Sequence, residues 1–255
     1  MELTYGNQTV NFYEHGAPET IPLSLSGGLD SASLFYLVSK HFPESQVVPF
    51  SCRDLQAPLD ADAANDITRW MQAQFPKNKI QDIQIFDFDA HTEKYVTNEE
   101  VDQVIAEEPR FTGMRRTQVS KIIQIDNISI DIMRANPGSV RLDGMTRNPP
   151  TNEMKDQGFF DKAERRRDKE LPHMNNWILF PLDKYPPYAA YNNIYKPYLN
   201  VDKKFVAGVF IENNLMDTLY PLTRSCVGTV KETKNFTKEC GHCFWCHEKK
   251  WAFKL

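Results

Sequence analysis

The 255-residue sequence lacks three features that would each indicate a particular class of protein. It has no basic excess, because 30 Lys and Arg residues face 34 Asp and Glu residues and leave a net charge of −4. Binding nucleic acid by bulk charge requires such an excess. No apolar run approaches the roughly 20 residues that span a bilayer, and the first residues show neither the basic nor the apolar region of a signal peptide. These absences predict a cytoplasmic protein with no membrane contact and no strong nucleic-acid signal.

Cysteine is scarce and unevenly distributed. Of five cysteines, Cys52 stands alone and the other four lie in the last 30 residues. In a chain without an export signal, such a terminal cluster favours a metal site over disulfides.

The order of the elements predicted from the sequence indicates an α/β fold with a parallel sheet. Strands are predicted at 21–25, 46–50, 83–88, 139–142 and 177–180, and helices at 32–42, 62–75, 116–135 and 199–215. This alternation implies right-handed crossovers, with ligands at the carboxyl ends of the strands. We divide the chain into an α/β domain at 1–195 and a helical, cysteine-bearing region at 196–255. The first domain carries an inserted segment at 89–115 and a mobile loop at 145–176.

A glycine-rich loop with the sequence Ser-Gly-Gly-Leu-Asp-Ser lies at 26–31, between the first predicted strand and helix. Its two glycines allow close backbone approach, and the N–H groups and dipole of a helix start favour an anion. Ser26 and Ser31 add hydroxyl donors. The motif is neither a Walker A loop nor a dinucleotide-binding loop. The loop therefore predicts phosphate binding; the alternative is an ordinary turn in which Ser26 or Asp30 caps the helix.

This motif, after an apolar strand near the N-terminus, resembles the PP-loop of the N-type ATP pyrophosphatases. The resemblance implies the adenine nucleotide α-hydrolase fold, with a loop that holds the β- and γ-phosphates of ATP while a substrate oxygen attacks the α-phosphate. Fixed N–H dipoles and Mg²⁺ suit the charge that develops on the departing pyrophosphate. The implied nucleotide contacts are Ser24, Ser26, Gly27, Gly28, Leu29, Asp30, Ser31 and Gly144, with the adenine near Phe50 and Ser51. For Asp30, assisting the metal and capping the helix remain equal alternatives.

The terminal cysteines have the spacing of a metal site. Cys226 precedes Cys240 by thirteen intervening residues, and Cys240, Cys243 and Cys246 form two overlapping C-x-x-C pairs. Four thiolates complete a closed tetrahedral site, which predicts structural Zn²⁺. An iron–sulfur cluster and a redox C-x-x-C pair are the alternatives. His242 and His247 are substitute ligands or, in the preferred interpretation, surface residues.

Together, the two motifs resemble the 7-cyano-7-deazaguanine synthase (QueC) family. Residues 197–204 and 222–226 are similar to family segments, residues 112–116 only weakly. The resemblance implies a ligase of queuosine biosynthesis that converts 7-carboxy-7-deazaguanine and ammonia to the 7-cyano base, preQ0, with release of AMP and pyrophosphate. The implied cofactors are ATP, Mg²⁺ and Zn²⁺. Lys203 would contact a phosphate or the transition state; the alternative is a solvated lysine at a helix start.

The middle of the chain departs from that family at 51–56 and 143–150. Arg147 occupies the neighbourhood where the family has an acid, and we include it with Asp30 and Lys203 among the catalytic candidates. Arg53, Arg115, Arg116 and Arg147 could clamp a carboxylate or phosphate, or be surface residues.

These departures leave other functions open. One is a PP-loop enzyme with another substrate, either an amide ligase or a tRNA thiolase; another is a non-catalytic nucleotide-binding zinc module. A thiolase would need a catalytic pair of cysteines near the nucleotide and a basic surface for tRNA, and the acidic balance and the lone Cys52 argue against it. A lone cysteine is more often a small buried hydrophobe. A homodimer is also open, since Trp245, Trp251 and Phe253 could line a subunit contact or pack the core.

Overall fold

The computed structural model describes residues 1–12, 17–55, 59–89, 94, 96–107, 116–147, 149–150, 153, 177–179, 193–228, 231–235 and 237–254. The strands are β1 Glu2–Tyr5, β2 Gln8–Asn11, β3 Thr20–Ser24, β4 Gln46–Asp54, β5 Gln84–Phe88, β6 Arg141–Leu142, β7 Trp177–Leu179 and β8 Asn193–Tyr195. The helices are α1 Leu29–His41, α2 Leu59–Gln74, α3 Asn98–Glu107, α4 Arg116–Ala135, α5 Lys203–Glu212 and α6 Phe244–Phe253, with a short 3₁₀ turn at Tyr220–Leu222. No helix among these described residues is long and apolar enough to cross a membrane.

Five parallel strands form the main sheet, in the order β5-β4-β3-β6-β8, and β7 pairs antiparallel with β8 at one edge. The chain adds β4 and then β5 on one side of β3, and it then returns to add β6 on the other side of β3. A ligand crevice is expected at such a switch point, beyond the carboxyl ends of the strands. The α/β fold and its parallel sheet are therefore confirmed.

The helix predicted at 116–135 has the observed bounds of α4, and the strands β3 and β5 lie within one residue of their predicted bounds. β4 continues to Asp54, four residues past its predicted end, because Ser51–Asp54 pair with β5. Sequence patterns missed the β1–β2 hairpin, α3, β8 and α6. These elements are short, and short elements carry little periodicity.

One hydrophobic cluster surrounds α1, which is buried over most of its length. It combines sheet residues such as Leu23 with Phe12 of the hairpin end, Phe205 of α5 and Phe253 of α6. Residues on both sides of the predicted 195/196 boundary thus share one core, while the division itself stays a prediction. Phe253 packs against Phe210 and Tyr220, with ring centroids 6.0 and 5.1 Å away.

Of the two atypical segments, 89–115 includes α3, whose Val101 is buried. Most of 145–176, with its run of three arginines at 165–167, lies outside the described residues, as do residues 112–115, Gln56 and Phe180.

Candidate functional site

The glycine-rich loop lies between β3 and α1, at the switch point of the sheet. Gly28 is the N-cap of α1 and has no side chain to cap it. Serine hydroxyls accept hydrogen bonds from the loop instead: the Ser26 N–H donates to Ser31 Oγ at 3.3 Å, and the Gly28 N–H to Ser26 Oγ at 3.4 Å. The two hydroxyls lie 3.2 Å apart. Backbone donors and hydroxyls therefore converge on a helix N-terminus, the arrangement that binds phosphate oxygens.

Two glycines bring other segments against this loop. Gly27 has φ +74°, and a Cβ there would lie 2.4 Å from the backbone oxygen of Asp60 in α2. A Cβ on Gly144, which follows β6, would lie 2.9 Å from the backbone carbon of Asp30. Only glycine permits both the left-handed backbone and the close approach. The predicted nucleotide residue Gly144 thus lies beside the loop.

Lys203 is a buried cation beside the loop. It is the first residue of α5 and only 3% exposed, and its Nζ donates to Asp30 Oδ1 at 2.5 Å. Glu248 of α6, 0% exposed, places Oε2 3.5 Å from the same Nζ. The alternative of a solvated lysine is therefore wrong. The Asp30 carboxylate pairs with Lys203, and the N-cap of α1 is Gly28 and not Asp30.

A second buried group of charges follows the neighbouring strands. Asp143 comes directly after β6, with Arg141 at 3.7 Å and Lys196, which follows β8, at 3.6 Å. Burial alone would raise the pKa of Asp143, but the charges of Lys196 and Arg141 outweigh it and lower the pKa. Asp143 is therefore ionised at neutral pH, and it lies one residue from Gly144.

The remaining predicted nucleotide residues belong to the sheet. Ser24 ends β3, and the Leu25 N–H donates to the backbone oxygen of Phe50 at 2.8 Å. Phe50 and Ser51 are buried within β4, whose carboxyl end is Asp54. The Phe50 side chain packs with residues of α4. A contact of these residues with adenine stays a prediction.

The candidate arginines have acidic partners. Arg147 lies 3.7 Å from Asp202, the residue whose side chain caps α5. Arg53 binds Asp87 at 2.5 Å. Arg116, the first residue of α4, pairs with Asp102 of α3. Arg115 lies outside the described residues.

The four terminal cysteines come together as the spacing predicts. Their sulfurs, of Cys226, Cys240, Cys243 and Cys246, all lie within 4.8 Å of one another. The Sγ of Cys246 is 3.4 Å from that of Cys243 and 3.9 Å from that of Cys240. Ligands at 2.3 Å from one tetrahedral ion would have sulfurs about 3.8 Å apart. An iron–sulfur cluster spaces its thiolates more widely, because they bind different irons. The sulfur set fits a single ion.

Backbone donors already point at these sulfurs. Cys226 Sγ accepts from the N–H groups of Gly228 at 3.3 Å and Cys240 at 3.2 Å. Cys240 Sγ accepts from Cys243 N–H at 3.4 Å. Burial raises the pKa of Cys240, but the backbone N–H groups of His242 and Cys243 and contacts with the neighbouring thiols outweigh it and lower the pKa to about 7. Burial raises the pKa of Cys226 and of Cys246. Donors of this kind stabilise the thiolate that binds a metal.

Neither histidine belongs to this set of four sulfurs. His242 is exposed, with Nε2 2.9 Å from Glu232 Oε1. His247 is half-buried in α6, where its N–H donates to the backbone oxygen of Cys243 at 3.1 Å.

Cys52 lies in a different environment. Its side chain is buried between the sheet and α4 with Phe50, Phe88 and Ile128. Burial raises the pKa of its thiol to about 11, so the thiolate is scarce at neutral pH. This environment is that of a small hydrophobe and not of a nucleophile.

Sequence reasoning missed Lys196, Ser225 as a loop contact, and Glu248. Glu248 does carry a signal: an acid in an amphipathic helix, between Trp245 and Ala252, falls on the buried face. Nothing in the sequence places that face against Lys203.

No family model and no curated protein matches the sequence. Among solved structures, the chain is similar to a U34-tRNA thiolase from Methanococcus maripaludis with its 4Fe-4S cluster, at 13% identity and a TM-score of 0.46 over 93% of this chain and 71% of that one. It is also similar to an NH3-dependent NAD synthetase from Campylobacter jejuni, at 12% identity and a TM-score of 0.42 over 82% of this chain and 69% of that one. For an NMN synthetase from Francisella tularensis the identity is 14% and the TM-score 0.38, over 93% of this chain and 85% of that one.

Proposed function

We propose that the protein is an ATP-dependent adenylating ligase that releases AMP and pyrophosphate. The observation that carries this proposal is the serine- and glycine-rich loop at the α1 N-terminus, with the buried Lys203 beside it on Asp30. A helix N-terminus lined by serine hydroxyls, with a buried lysine beside it at the switch point of a parallel sheet, suits a polyphosphate.

In the proposed reaction, a carboxylate oxygen of the substrate attacks the α-phosphorus of ATP. The bond between the α-phosphorus and its bridging oxygen breaks, and pyrophosphate leaves with that electron pair. The N–H groups of the loop would hold the β- and γ-phosphates, and Lys203 would offset the negative charge that grows on the leaving group. Bound Mg²⁺ would neutralise further charge on the phosphates. Asp30 is the loop carboxylate that would hold it. Arg147 remains a candidate for the substrate side.

We propose 7-carboxy-7-deazaguanine as the carboxylate, following the resemblance of both ends of the chain to the 7-cyano-7-deazaguanine synthases. Ammonia would displace AMP from the adenylate to give an amide. A second ATP would adenylylate the amide oxygen with release of pyrophosphate, and loss of AMP and of both amide protons would leave the nitrile. The buried, high-pKa thiol of Cys52 disfavours the thiolase alternative, because sulfur transfer needs a reactive thiolate.

For the cysteine centre we propose one structural Zn²⁺, held by Cys226, Cys240, Cys243 and Cys246. The sulfur separations suit a single tetrahedral ion, and four thiolates leave no open position for a substrate. A reducing compartment such as the cytoplasm would keep the thiols free for the metal.

The test is release of AMP and pyrophosphate from ATP, Mg²⁺ and ammonium, with and without 7-carboxy-7-deazaguanine, followed by mass spectrometry. Base-dependent AMP and a product nitrile are expected. AMP formation without any change in the base would reject the substrate and keep the adenylating class. ATP binding without AMP formation for a panel of carboxylates would favour the non-catalytic nucleotide-binding module.

A further inference from the structure

The segment that carries Cys226 also caps the start of α1, where the glycine-rich loop ends. Because Gly28 has no side chain, the first helical N–H of α1, that of Leu29, donates to Ser225 Oγ at 3.2 Å. The N–H of Arg224 donates to the backbone oxygen of Gly27 at 2.7 Å. Ser225 is covalently adjacent to Cys226, so a cap on the loop comes from a residue next to a metal ligand.

A second connection runs from the last cysteine. Cys246 and Glu248 lie in the first part of α6, whose N-cap is Cys243. The Glu248 carboxylate lies 3.5 Å from Lys203 Nζ, and that Nζ binds Asp30 in the first turn of α1. Both charged side chains at the α5–α6 contact are buried, so their geometry is constrained by packing on every side.

We propose that Ser225 and Glu248 are positioning residues that couple the metal centre to ATP binding. This inference rests on the proposed function, since it takes the loop to bind ATP. Metal bound to the four thiolates fixes the backbone at both residues. Ser225 then caps α1 with its hydroxyl hydrogen left to donate to a phosphate, and Glu248 holds Lys203 at the loop.

The coupling follows from linkage. Any ligand that favours the arrangement of the loop seen here also favours the arrangement of 224–226 and α6, and the reverse holds by the same factor. With two independent connections, we expect bound ATP to raise the affinity for the metal by about tenfold. The usual range for such coupling is roughly 5- to 150-fold.

The experiment measures metal retention by the full-length, metal-loaded chain during titration with a chelator, with and without Mg²⁺-saturated ATP. ATP is expected to raise the chelator concentration for half-release by about tenfold in the unmodified protein. In the double variant Ser225→Ala/Glu248→Gln the shift should fall below about threefold. Calorimetry in parallel reports whether ATP binds, and thermal unfolding reports whether each variant is folded.

The matched control is Thr237→Ala/Glu239→Gln. Thr237 Oγ1 donates to the Lys234 backbone oxygen and Glu239 pairs with Lys249, so both lie near the cysteines and neither contact reaches the loop. This control should keep the full ATP-dependent shift.

The outcomes separate the two proposals. ATP that binds without changing metal retention overturns the coupling and leaves the proposed function intact. An equal shift in the double variant and the unmodified protein overturns the roles of Ser225 and Glu248. ATP that does not bind the unmodified protein overturns the proposed function, and the coupling with it. If the double variant does not fold, Ser225→Ala alone is measured, and an unreduced shift there overturns the role of Ser225.

Discussion

The glycine-rich loop at 26–31 and the cysteine cluster are held by different forces. The loop follows a buried strand and leads into α1, whose side chains form the middle of the hydrophobic core. The cysteine centre lies on 226–246, where three of the four cysteines are only half-buried. Core packing holds the first site, whereas backbone N–H groups that donate to sulfur surround the second. The contrast teaches that the packing of a strand and a helix positions the loop, whereas local turns and the start of α6 position the cysteines.

Removal of one thiolate should have the largest effect of any change considered. Cys243→Ser is expected to weaken metal retention by more than about 100-fold, because even outer-shell changes cost 10- to 100-fold. Metal content per chain after gel filtration, measured by mass spectrometry, tests this. Cys52→Ala is the control and should retain one metal per chain. Full retention by Cys243→Ser would mean that the four sulfurs are not the site.

Loss of the Lys203 charge tests how far the loop depends on a buried ion pair. Lys203→Met should lower the free energy of unfolding by about 3–5 kcal/mol, because Asp30 and Glu248 would lose their shared cation. It should also abolish AMP formation. Urea denaturation and the AMP assay measure the two effects.

The neighbouring residue provides the control. Lys204→Met removes a half-buried lysine that binds Glu153 at 2.6 Å and lies 4.5 Å from the centroid of the Trp251 ring. It should cost about 1 kcal/mol, because the pair stays in contact with water. Equal losses in the two variants would contradict the role given to burial. If Lys203→Met does not fold, Lys203→Arg keeps the charge, and normal AMP formation by that variant would argue against a specific lysine contact.

Gly27→Ala tests the close approach of α2 to the loop. The positive φ and the contact at 2.4 Å with Asp60 together should cost about 3 kcal/mol. Gly138→Ala isolates the backbone term, because Gly138 has φ +82° and no atom within 4 Å of the added Cβ. It should cost only about 1 kcal/mol in the same denaturation experiment. Similar values for the two would show that the contact with α2 relaxes freely.

Cys52→Ala should have a small effect, about 1 kcal/mol on unfolding and none on AMP formation. In the unmodified protein, a pKa of about 11 leaves about 0.1% thiolate on Cys52 at pH 8. Alkylation of Cys52 should therefore be slow at pH 8 and rise about tenfold per pH unit until pH approaches the pKa. Mass-spectrometric labelling measures this. Fast labelling at neutral pH, or loss of AMP formation in the variant, would favour a catalytic thiol.

Local patterns predicted those elements whose signal is contained within a short stretch of chain. In α4, apolar residues recur at helical spacing over 20 residues. The glycine-rich loop has a strand before it and a helix after it. The cysteine spacing predicted a cluster, and the four sulfurs do lie together. The predicted end of β4 is too early, because Asp54 is polar and gives no strand signal. Asp54 pairs with Phe88 of β5, and neither segment by itself shows that pairing.

The sequence by itself determined the α/β class, the position of the glycine-rich loop and the grouping of the four terminal cysteines, because each leaves a pattern in the order or spacing of residues along the chain. Only the tertiary structure decided that Lys203 reaches Asp30, that Glu248 lies beside it, and that Ser225 caps α1 from 196 positions away. These contacts depend on how α5, α6 and 224–226 pack on the core. Such packing is a property of the whole chain, and no local spacing encodes it.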